Sequence, residues 1–322
     1  MAAAAVALPE HKLYESPNSR SIRIGDWYIT ASTNPISNHH ECEALSASLS
    51  IPLPEMPFGR NLLRLHHLLS GWRYQFSTEE ALREVKNGAL EHGDGGVKVE
   101  YAEAWLKSRT SPSSLLPMPK TVPTKPYDWT YTTLYTGHTA TSLSDTLEEE
   151  GEGEGGTAIA SLYNPKWVPS DPEDPSQQIP LAELTRPDPI LFYAEIPLFE
   201  DELHDNGSSA LIARIRVMPT CVFILSRFTL RVDNVLFRTF DTRLYHSFSS
   251  NPPLVVRETC GWEAPYDRVK NLLPKRDDLT PLTDPNWIAK ILSDLPRQIS
   301  QKEGANTGWR GLGRRLQYAM LA

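Results

Sequence analysis

Between Leu198 and Asn251 the chain alternates apolar and polar residues at a period of two. Leu211, Ala213, Ile215 and Val217 are spaced by Ile212, Arg214 and Arg216, the pattern of a strand with one face in a core. After Met218-Pro219-Thr220, CVFILSRFTLRV is apolar on both faces at first. It then sets Ser226, Phe228, Leu230 and Val232 against Arg227, Thr229 and Arg231. Asp233-Asn234 tolerates positive φ, so VLFRTFDTRLY reads as a hairpin partner. Upstream, PILFYAEIPLFEDEL runs into the turn signal His204-Asp205-Asn206-Gly207. These segments predict a four-stranded antiparallel meander over 190–246, with the middle two strands buried.

Helical periodicity is sparser. Ser77 and Glu80 have the spacing of a capping box and open a helix through ALREVKNGAL. Asp284 as N-cap, with Pro285 in the first turn, introduces NWIAKILSDL. Cys42–Leu49 and Tyr101–Arg109 are two further amphipathic segments, and 27–29, 73–76 and 97–99 read as short strands. Antiparallel sheet with flanking helices makes the fold α+β.

Composition sharpens the boundaries. Of 27 prolines, twelve fall in 112–126 and 165–189, whereas 198–251 holds Pro219 alone. The net charge is -8, which excludes a chain-wide basic footprint for nucleic acid or anionic membrane. Asp145, Glu148, Glu149, Glu150, Glu152 and Glu154 supply six of those charges in one Gly/Glu stretch with too few apolar residues to join a core. The remainder carries only about -2. The expected organisation is an N-terminal extension over 1–20 outside the fold and a single domain over 21–273. An acidic, proline-rich insert at 137–189 interrupts that domain, and a C-terminal helix and tail occupy 274–322. Within the tail, WRGLGRRLQYAM reads as a frayed basic segment. MAAAAVALPE lacks the basic start of a secretory signal. Cys42, Cys221 and Cys260 show no CxxC spacing, so a reducing compartment, cytoplasm or nucleus, is expected.

Three constellations carry candidate chemistry. Glu200, Glu202 and His204 could hold a divalent metal for hydrolysis. On one strand face, however, they lie several ångströms apart, and a solvated or partner-facing strand end fits better. Asp241, Arg243, Tyr245 and His246 mix a carboxylate, a guanidinium, a phenol and an imidazole without a nucleophile elbow. Arg214, Arg216, Arg227, Arg231, Arg238 and Arg243 could recognise a carboxylate bidentately or pair with acids across the sheet. The segment 126–133 (PYDWTYTT) places Tyr127, Trp129 and Tyr131 on one face of an extended chain.

In order along the chain, KPYDWTYTT, FEDELHD-x-G, IRVMP and DTRLYH resemble the TIP-forty-one-like (TIPRL) regulators of TOR signalling. LPEM-x-FG-x-N at Leu53–Asn61, EEALREV and YAEAWLKSR fall in the matching order. The resemblance spans roughly Ile22–His246 and extends more weakly to about Leu273, with Thr239-Phe240 before Asp241 departing from the expected pairing.

This resemblance implies a non-enzymatic protein with no cofactor. It implies binding to the catalytic subunit of type 2A and related Ser/Thr phosphatases, including its C-terminal tail, so as to lower or redirect activity. It further implies an interaction, direct or indirect, with the alpha-four (Tap-type) phosphatase-associated protein. Carried over by motif, the interface is expected at Glu80, Asp128, Arg214, Arg216, Met218, Asp241, Arg243 and Tyr245, with Glu200, Asp201 and Glu202 in second rank. Asp241→Asn or Arg243→Ala is expected to weaken phosphatase capture without moving the melting temperature. Excising 140–186 is expected to be nearly silent.

Overall fold

The computed structural model describes residues 8–49, 53–87, 165–185, 188–200, 207–233, 236–299 and 310–321, which carry two antiparallel sheets and several helices. β1 (His11–Ser16) and β2 (Ser19–Ile24) form a hairpin, and β3 (Trp27–Ser32) follows across Gly25-Asp26. Gly25 has φ +53°, the left-handed geometry that so tight a connection favours. α1 (His39–Leu49) and the two-residue β4 (Met56–Pro57) lead to β5 (Leu62–His67) and β6 (Arg73–Ser77). The first sheet has the order β1-β2-β3-β5-β6. Its inner face carries Ile22, Ile24, Trp27, Ile29, Leu63 and Leu65, one residue in two along each strand.

α2 (Thr78–Asn87) begins at the expected capping box. The Ser77 amide donates to Glu80 Oε2 at 2.5 Å, and the Glu80 amide donates to Ser77 Oγ at 3.3 Å. An equivalent box opens α1. There Asn38 Oδ1 accepts from the Glu41 amide at 3.1 Å and Glu41 Oε2 accepts from the Asn38 amide at 3.0 Å.

The second sheet contains the predicted meander and extends it. β7 (Val168–Pro169) precedes α3 (Leu181–Leu184), followed by β8 (Ile190–Glu200), β9 (Gly207–Val217), β10 (Cys221–Val232) and β11 (Leu236–Ser247). These pair in sequence, with Ile215 opposite Ile224 and Ile224 opposite Leu244. β12 (Leu254–Pro265), α4 (Tyr266–Lys270), α5 (Pro285–Ile299) and β13 (Arg310–Met320) complete the chain, giving the order β4-β8-β9-β10-β11-β12-β13-β7. Gly207 is required at the start of β9. Its φ is +155°, and a Cβ there would lie 2.5 Å from the Arg231 carbonyl oxygen.

The sheets pack face to face around one apolar cluster. Ile22, Ile29, Leu63 and Leu65 of the first meet Phe192, Ile196, Leu211, Ile215, Ile224 and Leu244 of the second. Each such side chain, fully removed from water, contributes about 1.5–3 kcal/mol before entropy. The LPEM-x-FG-x-N segment joins the layers through buried Asn61. Its side chain accepts from the Asn34 amide at 2.5 Å and donates to the Pro197 carbonyl at 2.8 Å.

Several boundaries differ from expectation. Residues 11–20, expected outside the fold, form β1 and the start of β2. Residues 310–320, read as a frayed tail, pair with β12 as β13. Within 165–185, expected to belong to the insert, Trp167 packs on the core beneath the Arg257 guanidinium, 4.1 Å from its ring centre. The segments 97–99, 101–109 and 126–133 and the acidic run 145–154 lie outside the described residues.

Candidate functional site

The outer face of the second sheet, turned away from the first, has three zones. At one end Phe237, Trp262 and Ala264 are covered by Tyr266, Val269, Ile288 and Leu292 from α4 and α5, and Phe237 stacks on Tyr266 at 5.2 Å. Asp284 caps α5 by accepting from the Asn286 amide at 2.9 Å, as its sequence position predicts. At the other end Met218, Cys221 and Phe223 form a small apolar cluster with Ile179, Leu225 and Tyr245. Between these ends lies a polar strip formed by Arg214, Arg227, Asp241, Arg243, Glu258 and Cys260, which register brings side by side across β9–β12.

Asp241 anchors the strip. Its carboxylate accepts two bonds from Arg227, Nε to Oδ1 at 2.7 Å and Nη2 to Oδ2 at 2.8 Å, and a third from Arg243 at 3.3 Å. Arg243 also reaches Glu258 Oε1 and Cys260 Sγ, each at 3.1 Å. Burial pulls the Arg243 guanidinium downward, but Cys260, Asp241 and Glu258 outweigh it and hold the pKa above the ordinary arginine value. Burial raises the Cys260 thiol, against the opposing pull of Arg243. That environment keeps the sulfur a neutral acceptor rather than a thiolate. Burial, together with Cys221 and Glu183, pushes the Tyr245 phenol up to about 12, so it remains protonated at neutral pH.

The predicted site residues therefore divide. Arg214 and Arg216 are half-buried on the outer face. Arg214 bonds Asn286 of α5 and lies 5.8 Å from the Tyr193 ring centre, while Arg216 Nε donates to the Asp188 carbonyl at 3.2 Å. Arg243 and Tyr245 share that face and are also half-buried. Asp241 and Met218 do not fit a contact role by side chain. Asp241 is 1% exposed within its guanidinium clamp, and Met218 is fully enclosed in the turn where its amide donates to the Cys221 carbonyl at 2.9 Å. Both were expected at the interface; in the free chain both side chains are buried and help hold the sheet. Glu80 is half-buried, and its carboxylate caps α2. Glu200 closes β8 opposite Met56 and Ser208, while Asp128, Asp201, Glu202 and His204 lie outside the described residues. Among the described residues, no three His, Cys, Asp or Glu side chains converge as metal ligands.

Four of the six arginines pair with acids. Besides the Asp241 clamp, Arg231 grips Asp233 at 2.6 Å. Arg238 and Glu263, each 1% exposed, pair at 2.6 Å on the core side. Sequence reasoning missed Tyr193, Glu258, Cys260 and Asn286 as members of this face. Glu258 and Cys260 sit on β12, and Asn286 sits two residues beyond the recognised cap, so only the register brings them to the arginines. A shallow, open cleft of ≈ 330 Å³ flanks Tyr193 and Glu195, beside Arg20 and Thr33. It lacks the enclosure by which small-molecule pockets bury a ligand.

Comparison with known proteins matches residues 56–270 to the TIP41-like family. The chain belongs to that family. The match runs from β4 through α4 and so includes every strand that contributes to the polar strip. A TIP41-like protein from Homo sapiens is 38% identical over 274 residues, covering 85% of each chain. The type 2A phosphatase activator TIP41 of Saccharomyces cerevisiae is 34% identical over 297 residues, covering 86% of this chain and 73% of its own. The type 2A phosphatase activator tip41 of Schizosaccharomyces pombe is 29% identical over 274 residues, covering 85% of this chain and 94% of its own. A TIP41-like fold of this kind thus presents a sheet face closed by helices at one end and half-open across Arg214, Arg216, Arg243 and Tyr245.

Proposed function

We propose that this TIP41-like protein is a non-enzymatic regulator that binds the catalytic subunit of type 2A and related Ser/Thr phosphatases and lowers or redirects their activity in TOR signalling. Its place of action is the cytoplasm, with access to the nucleus. The reading draws on the two fungal relatives named type 2A phosphatase activators. The observation that carries it is the row of half-buried guanidiniums on the outer face. Arg214 stands opposite Tyr193 on the neighbouring strand, and Arg216 shares the face with Tyr245 across Phe223 of the intervening strand, arginine and tyrosine being residue types that dominate protein interfaces. The mechanism is occupancy. The phosphatase docks on the sheet face, and the terminal carboxylate of its C-terminal tail meets one of the arginines in a bidentate contact worth roughly 1.5–3 kcal/mol. The alpha-four-type protein joins the same assembly through the phosphatase or beside it.

The test is affinity capture with the intact chain, followed by identification of co-purifying phosphatase subunits and an activity assay on the captured enzyme. Arg214→Ala combined with Arg216→Ala should reduce capture at least tenfold. Removing the tail's last residues should do the same to wild-type capture. The melting temperature should stay close to wild type, because both arginines are partly solvated and each loses only partly exposed bonds. Capture of no phosphatase, or capture indifferent to the arginines and the tail, would refute the reading.

A further inference from the structure

β1 is an edge that nothing among the described residues covers, and it has the hydrogen-bonding symmetry of a self-complementary strand. The two-residue turn Pro17-Asn18 joins Ser16 and Ser19, which are register partners. Such a turn closes on a pair that exchanges both backbone bonds, and bonded and unbonded pairs then alternate. Ser16, Tyr14 and Lys12 therefore spend their amides and carbonyls on β2. Glu15, Leu13 and His11 turn theirs outward. That outward set is symmetric about Leu13.

The side chains repeat the symmetry. Leu13 lies opposite Ile22 and so on the core-facing side of the sheet, yet it is 53% exposed. It sits where the second sheet no longer covers the first. Tyr14 is 44% exposed on the other side, against Tyr28 at 6.2 Å. Edge strands usually carry a defence such as a proline, a bulge or an inward charge. β1 has an uninterrupted register with β2 and neither a proline nor a bulge within it, and its core-facing side carries His11 and Glu15 on either side of Leu13. Its Lys12 and Glu15 make only exposed ion pairs, with Glu10 at 3.4 Å and Arg20 at 3.0 Å, which hold little energy.

We propose that β1 pairs antiparallel with β1 of a second copy of this chain, about a two-fold axis through Leu13, joining two five-stranded sheets into one. In that register Leu13 meets the other Leu13, each His11 faces a Glu15, and each Lys12 lies over a Tyr14 ring. All three outward-facing residues of both strands are bonded, and the core-facing sides become continuous. A register shifted by one residue would oppose outward and inward backbone groups and lose every bond. So short a strand buries less than a standard interface, and the dimer is a weak, concentration-dependent one. It is independent of the phosphatase reading.

Sedimentation equilibrium of the full chain, run across a wide concentration range, provides the test. Wild type should pass from monomer to dimer. Leu13→Pro should weaken dimerisation at least tenfold while leaving the melting temperature nearly intact, because the amide it removes faces outward and not toward β2. Leu13→Asp and Leu13→Lys should each be monomeric, since they oppose like charges on the axis, and mixing the two should restore a heterodimer. A wild type that stays monomeric at its highest soluble concentration overturns the proposal. So does a dimer that these substitutions leave unchanged, or a mixture that fails to associate.

Discussion

The clamp on Asp241 permits a direct test of how the outer face is held. Asp241→Asn keeps the side chain's shape but replaces one acceptor oxygen with a donor pointed at a guanidinium. Two charge-assisted bonds to Arg227, at 2.7 and 2.8 Å, are weakened together with the 3.3 Å contact to Arg243. Breaking one side of a fully buried ion pair costs about 3–5 kcal/mol. Here the carboxylate is 1% exposed but the Arg227 and Arg243 side chains are 16% and 25% exposed. Water can therefore reach the released guanidiniums, and the expected cost falls to about 2–4 kcal/mol. In a chain of this size that lowers the melting temperature by roughly 3–8 °C. Arg243→Ala should cost less than about 1.5 kcal/mol, because Arg227 still grips both oxygens. The combination Arg227→Met with Asp241→Leu should recover most of the loss, as apolar isosteres of buried pairs often do. Differential scanning fluorimetry and urea midpoints read all four proteins. A melting point for Asp241→Asn within about 1 °C of wild type would mean that the clamp contributes nothing to the fold. The residue would then return to the set free to serve the interface.

Two further outcomes concern the core. His67 and His246 approach at 6.1 Å, with Trp27 5.0 and 5.4 Å from them. Burial lowers both pKa values below 6.5, with Asp26 pulling His67 upward against it and the Leu254 carbonyl doing the same for His246. Below pH 6.5 the unfolded chain binds protons that the native state refuses, so stability is complete above that pH and lost as the pH falls toward the folded values. The slope approaches about 1.4 kcal/mol per pH unit for each histidine. Urea midpoints at ~pH 7.5 and ~pH 5.5 measure it, and replacing both rings by Phe should flatten it. Trp167→Ala should cost about 2–3 kcal/mol, through loss of the edge-on contacts to Trp72 and Tyr74 at 6.2 and 6.0 Å and of the Arg257 stack. Excising 140–186 removes Trp167, Ile179 and β7 and should destabilise rather than be silent. An excision that ends before Pro165 spares those contacts, so comparing the two melting curves separates the claims.

What the chain disclosed in advance follows the solvation of each strand. β9 and β10 carry an apolar face against the first sheet and charges on the other, and β11 does so apart from Arg238, so alternation is strong and the meander was predictable. β12 is hidden by the same logic. Both its faces are covered, and both carry polar groups, Glu258 and Cys260 outside and Arg257 and Glu263 inside. No period-two hydrophobic signal survives. β13 begins RGLGRR and meets only the two-residue β7 on its outer side, so glycine and arginine are tolerated where that side of the ladder has no partner strand among the described residues. The same residues in isolation look like a solvated tail. β1 escaped notice because neither of its faces is buried.

The site was legible in kind and not in role, because ion pairing across strands has no sequence period. Asp241, Arg243 and Tyr245 are two residues apart and share a face, which the alternation predicts. That Asp241 is spent on Arg227 depends on the register of β10 against β11, where these two residues stand directly opposite. A motif gathers residues that jointly matter and does not separate those that touch a partner from those that aim them. The geometry makes that separation by solvent access. Asp241 reaches water nowhere, while Arg243 bonds it and remains a quarter exposed. A carboxylate that fixes two partly exposed guanidiniums in orientation reduces the rotamer entropy they would lose in the proposed docking, about 0.5–1.5 kcal/mol for each long side chain. In the proposed docking the buried acid would act through the arginines. Its substitution should change affinity in proportion to how far it lets Arg227 and Arg243 move, even in buffers where the fold survives.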